Sequence, residues 1–162
     1  MDKEPTANTQ ERQPARKAVG GKRRKSNKPE LLSRDVEIAS FGATVRLHTV
    51  HHKGDEPYIE SKPWLEVRGT ATEPVKGVTD VKISMYPEDK PIVGTARPAA
   101  VGAIIGARPT LDVVLTWPHL DFDRVWALAV GGHLKFAHLI FTKPHYNGGL
   151  VVNASFSNEM EE

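Results

Sequence analysis

"RVWALAVGGHLKFAHLIFT", residues 124–142, decides how the chain is read, because apolar side chains crowd both sides of a glycine pair. Short apolar runs bounded by turn residues fit buried strands. A two-residue Gly-Gly link suits the primed turns that join twisted antiparallel strands. The spacing predicts strands over 124–130 and 133–142, joined as a hairpin at Gly131-Gly132. A third run, "LVVNASFS" (150–157), follows "KPHYNGG", whose Asn147-Gly148 favours a type I′ turn, although Pro144 interrupts a strand running into it. Together these runs read as a C-terminal three-stranded meander.

Register turns the meander into faces, because strand side chains alternate and a slip of one residue inverts them. With loops at 131–132 and 147–148, Trp126 faces Ala137, Phe141 faces Ala154, Leu139 faces Phe156 and His138 faces Ser157. One side then carries Trp126, Leu128, Val130, Ala137, Leu139, Phe141, Val152, Ala154 and Phe156, which is a core face. The other side offers a candidate binding face of Phe136, His138, Thr142, Asn153 and Ser155. Mixed hydroxyl, amide, imidazole and aromatic groups suit a ligand or a partner surface. The alternative is that the face is covered and His138 is a hydrogen-bonded core residue. His133 falls on the opposite face and His145 in a loop, so this stretch alone does not make a three-histidine site.

The rest of the body carries the same period. Ala43, Val45 and Leu47 alternate with Thr44, Arg46 and His48, and Val81, Ile83 and Met85 alternate with Asp80, Lys82 and Ser84. "WLEVRGT" (64–70) and "LDVVLTW" (111–117) follow suit, with turn signals between them. Nine of the 12 prolines lie in this body, leaving little room for a helix longer than about three turns. The small-residue segment 94–109 fits a short helix, a glycine-rich loop or a poor strand. The expected fold is an all-β antiparallel sandwich, jelly-roll or Ig-like, spanning residues 34–162.

Residues 1–33 form a separate object. Residues 1–34 hold ten Lys and Arg against four Asp and Glu, while the remainder holds twelve against sixteen. A segment this poor in apolar side chains cannot offset the entropy of ordering, so a disordered basic arm is expected. Arg16, Lys17, Lys22, Arg23, Arg24, Lys25 and Lys28 are its candidate polyanion-binding residues. With no aromatic side chain in the arm, nucleic-acid contact through it alone is nonspecific. A solubilising tail or an address signal accounts for it equally.

The chain has no cysteine, which removes disulfides, thiolate metal sites and a cysteine nucleophile. No apolar leader and no run near 20 apolar residues appear, so an intracellular protein without a membrane partner is expected. "HTVHHKGDE" (48–56) gathers His48, His51, His52, Asp55 and Glu56; it reads as a polar strand end entering a turn, and a weak zinc, copper or nickel site is the alternative. Asp121 and Asp123 read as turn carboxylates, and no phosphate-loop, dinucleotide or nucleophile-elbow motif occurs. No cofactor and no catalytic residue are assigned. The functional expectation is a non-catalytic binding or adaptor module whose arm contacts an acidic partner or nucleic acid. The alternatives are a coat-like assembly subunit, self-associating around nucleic acid, and a small histidine-based metal protein or enzyme.

Overall fold

The computed structural model describes residues 28–89 and 99–160. Seven strands and one helix follow in the order β1 (Leu31–Val50), β2 (Tyr58–Val75), β3 (Val78–Pro87), β4 (Gly102–Gly106), β5 (Leu111–Trp117), α1 (His119–Val130), β6 (Phe136–Thr142) and β7 (Gly149–Ser157). The strands close into a barrel in the order β1-β2-β3-β5-β4-β7-β6, with β6 returning to β1. Only β3 and β5 run parallel; the other neighbours are antiparallel.

The expected two-sheet sandwich, jelly-roll or Ig-like, is therefore replaced by a single closed sheet. Alternation along a strand fixes which side is buried, and a sandwich and a barrel need the same alternation. What distinguishes them is the pairing of Leu31–Glu37 with Phe136–Thr142, which removes the edges a sandwich would keep. Inside, Leu65, Val67, Ile83, Met85, Val113, Leu115, Leu139 and Phe141 are fully buried. Each side chain of this size contributes about 1.5–3 kcal/mol on leaving water.

The expected meander also changes. Residues 124–130 are the end of a helix rather than a strand. Phe122, Val125 and Ala129 recur at helical spacing and pack into the core. Gly131-Gly132 ends this helix instead of turning a hairpin. Gly132 has φ +73°, its N–H donates to Ala129 O, and the His133 N–H donates to Leu128 O. That pair of bonds is a Schellman cap, which requires a left-handed residue that glycine adopts freely. Trp126 and Leu128 pack against the core from the helix, and Val130 is exposed.

The β6–β7 hairpin is present, with a different register. Tyr146-Asn147 is its two-residue loop, bracketed by reciprocal bonds between His145 and Gly148. His138 faces Ser155, Leu139 faces Ala154 and, past a bulge, Phe141 faces Val151. A slip of two residues preserves the faces. Ala137, Leu139 and Phe141 still point inward, and His138 outward. The bulge brings Val151, rather than Val152, into the core.

The strand β1 has two halves. Leu31–Glu37 pairs with β6 in the barrel wall, and from Val36 onward the strand also pairs with β2. A bulge between Ile38 and Ser40 switches the inward parity, and a Cβ on Gly69 would sit 2.2 Å from Glu37 O, so only glycine fits this close approach. Beyond it, among the described residues, Ala43–Val50 pairs only with Tyr58–Leu65, forming a two-stranded ribbon. Residues 94–98 of the unassigned segment lie outside the described residues, and Gly102–Gly106 is a strand. Among the described residues no helix is long and apolar enough to cross a membrane.

Candidate nucleic-acid interface and a histidine relay

The ribbon's two faces differ in chemistry. One face, continuous with inward-pointing Leu65 and Val67, carries Val45, Leu47, Ile59 and Pro63 with no charged side chain. The other carries Arg46, His48, Glu60, Lys62 and Trp64. Register sets Trp64 beside Tyr86 of β3, because Leu65 pairs with Met85. Arg46, His48, Lys62, Trp64 and Tyr86 line an open cleft of about 570 Å³ where the ribbon leaves the barrel.

Within the cleft, the Arg46 guanidinium lies 5.1 Å from the Trp64 ring centroid, a cation–π contact. Glu60 Oε2 forms an ion pair with Lys62 Nζ at 3.2 Å and lies 3.0 Å from His48 Nε2. Among the described residues His48 Nδ1 has no hydrogen-bond partner. Arg46 makes no ion pair with a described residue, so its charge is held by a ring rather than neutralised. A second open cleft of about 750 Å³ shares Lys62 and Tyr86 but is rimmed by Glu60, Glu88 and Asp89. The acidic side chains thus gather at this second cleft, and the unpaired guanidinium lies at the Arg46 end of the first.

The expected metal cluster does not assemble. His48 faces Glu60 across the ribbon, whereas His51 and His52 lie past the end of β1, and the His52 ring packs 6.3 Å from Tyr58. Among the described residues no group of three histidine or carboxylate side chains is placed to hold a metal ion. Of the arm residues, Arg16, Lys17, Lys22, Arg23, Arg24 and Lys25 lie outside the described residues, and Lys28 is exposed.

Phe136, His138, Asn153 and Ser155 do share the outer wall of β6 and β7. Thr142 does not join them; it is buried at the hairpin, where its hydroxyl accepts the Leu150 N–H. The partners of His138 come instead from β1. Its Nδ1 lies 2.6 Å from Asp35 Oδ1, and its Nε2 lies 3.0 Å from Ser33 Oγ. A carboxylate only accepts, so Nδ1 carries the hydrogen, and in the Nδ1–H tautomer Nε2 is the acceptor that faces the serine hydroxyl.

Fold and site together define a small closed β-barrel with a projecting ribbon, an aromatic–basic cleft at the ribbon's root and a Ser–His–Asp relay on the wall. Comparison of the chain with protein-family models, curated proteins and solved structures returned no match.

Proposed function

We propose that this barrel is a binding module for single-stranded nucleic acid. The observation that carries the reading is Arg46 stacked on Trp64 beside Tyr86, with Lys62 at the rim. Tyr86 is exposed and Trp64 half-buried beneath the guanidinium; aromatic rings beside cations stack unpaired bases of any sequence while the cations take the phosphates. The basic residues of the arm, joined to the start of β1, add attraction that is independent of sequence.

Titration with a fluorescent single-stranded oligonucleotide at several salt concentrations tests this. Trp64→Ala is expected to weaken binding roughly five- to hundredfold, the effect of losing about 1–3 kcal/mol of stacking. Arg46→Ala should make the log–log salt dependence shallower by about 0.7, the share of one phosphate contact. A chain beginning at Lys28 should lose affinity but keep its dependence on Trp64. Affinities unchanged in Trp64→Ala and Arg46→Ala would remove the cleft from the account.

One observation favours a second reading, self-assembly. Val45, Leu47 and Ile59 are 57%, 68% and 73% exposed on the uncharged ribbon face. A two-stranded ribbon is marginal alone, and a second copy offers the same apolar surface without burying a charge. Light scattering decides it: a dimer or larger species lost in Leu47→Lys supports assembly, and a monomer at all concentrations excludes it.

A further inference from the structure

We propose that Ser33 is a nucleophilic serine that accepts an acyl group from an activated carboxylic ester, with His138 as its base and Asp35 as the group that orients the base. The proposal stands independently of nucleic-acid binding, since the relay and the cleft lie on different parts of β1. Strand geometry builds it. Ser33 and Asp35 are two residues apart on β1, so both point outward. Asp35 sits opposite His138 in the β1–β6 register, and the ring spans the two side chains with one nitrogen toward each.

Polarity runs in the direction acyl transfer needs. Asp35 holds the Nδ1–H tautomer, which leaves Nε2 free to take the Ser33 proton. The Asp35 strand position is held in turn by Thr72, whose hydroxyl donates to Asp35 O at 3.3 Å. The His138 and Asp35 side chains are 25% and 33% exposed, and Ser33 is exposed, so a small ester reaches Oγ from solvent.

A main-chain donor adjoins the hydroxyl. Ile38 N–H donates to Lys135 O, and Lys143 N–H to Glu30 O, so even-numbered residues of this part of β1 bond to β6. The Ser33 N–H therefore points to the other side, where the β1–β2 ladder has ended at Val36. An oxyanion forming beside Oγ meets that donor.

In the reaction, Ser33 Oγ bonds to the ester carbonyl carbon and its proton passes to His138 Nε2. The bond from that carbon to the alcohol oxygen breaks, and the departing oxygen takes the proton from Nε2. Acyl-Ser33 and the free alcohol or phenol result. Water then attacks the acyl carbon and gives a proton to Nε2; Ser33 Oγ leaves and recovers that proton, releasing the carboxylic acid.

The test uses the full chain and 4-nitrophenyl acetate, reading nitrophenolate release together with mass-spectrometric location of the acetyl group. The native chain should acetylate at Ser33 about a hundredfold or more faster than the same chain unfolded in urea, the lower end of general-base assistance. His138→Gln and Asp35→Asn should each abolish most of that advantage, and Ser33→Ala all of it. Ser84→Ala, on the outer face of β3, should leave it unchanged. If His138→Gln does not fold, Asp35→Asn and the comparison with unfolded chain decide. Ser33 acetylation no faster in the native than in the unfolded chain overturns the proposal. So does native acetylation at Ser33 that persists in folded Asp35→Asn and His138→Gln.

Discussion

The two halves of β1 carry the same alternating pattern and meet opposite fates. In the first half Val36 is 1% exposed, enclosed by neighbours on both sides of the strand. In the second half Val45 and Leu47 point the same way as buried Leu65, yet among the described residues only β2 lies beside them and they are exposed. Alternation therefore states which side of a strand is apolar, and the number of neighbouring strands decides whether that side is buried. The difference also separates positions: the half paired with β6 holds the Ser33–His138–Asp35 contacts, and the free half lines the cleft.

The largest expected effect breaks the comparison at its apolar side chains. Leu65→Ala should lower unfolding free energy by about 2–5 kcal/mol, whereas Leu47→Ala should change it by no more than about 0.5 kcal/mol. Chemical denaturation measures both; similar losses would mean the ribbon face is covered. Next come two glycines on either side of the bulge. A Cβ at Gly69 collides with Glu37 O, while a Cβ at Gly42 meets nothing within 4 Å. Gly69→Ala is expected to cost about 1–3 kcal/mol and Gly42→Ala nothing measurable in the same denaturation experiment.

The sequence shows part of this and hides part for physical reasons. The inward faces of β3, β5 and β6 are legible, because every second residue on the inward side is apolar and stays inward through a two-residue slip. The helix is not. "VWALAV" is apolar at every position, so it satisfies a period of 2 and one of 3.6 alike. The same Gly-Gly pair serves a primed turn or a helix cap. Closure is also hidden, because nothing local marks Leu31–Glu37 as the partner of a strand about a hundred residues later. For the same reason His138 is legible as an outward histidine, but Ser33 and Asp35 are not legible as its partners. The Trp64–Tyr86 neighbourhood follows from the β2–β3 register, although each strand alone gives no sign of it.

The smallest expected effect lies on the barrel's outer wall. Lys82 Nζ lies 2.8 Å from Asp112 Oδ1 across the parallel β3–β5 pair, and the neighbouring carboxylate raises the lysine above its usual 10.5. A raised lysine stabilises the fold fully below pH 10.5, and that contribution is lost as pH rises through the raised value. Lys82→Met should therefore cost up to about 1 kcal/mol at neutral pH, since both partners are partly solvated. The difference from the unsubstituted chain should shrink above pH 10.5, as denaturation at neutral and alkaline pH would show. A constant difference would place the effect in packing instead.

Closure of the barrel by β1 and β6 is the claim on which the relay, the divided β1 and the free ribbon all depend. Native-state hydrogen exchange along β1 tests it most directly. The amides of Leu32, Arg34 and Val36, bonded to β6, should be protected nearly to the level of β3, and those of Thr44 to His48 should exchange far sooner. Exchange of Leu32, Arg34 and Val36 at the rate of an open edge, together with the ribbon, would contradict the closed barrel.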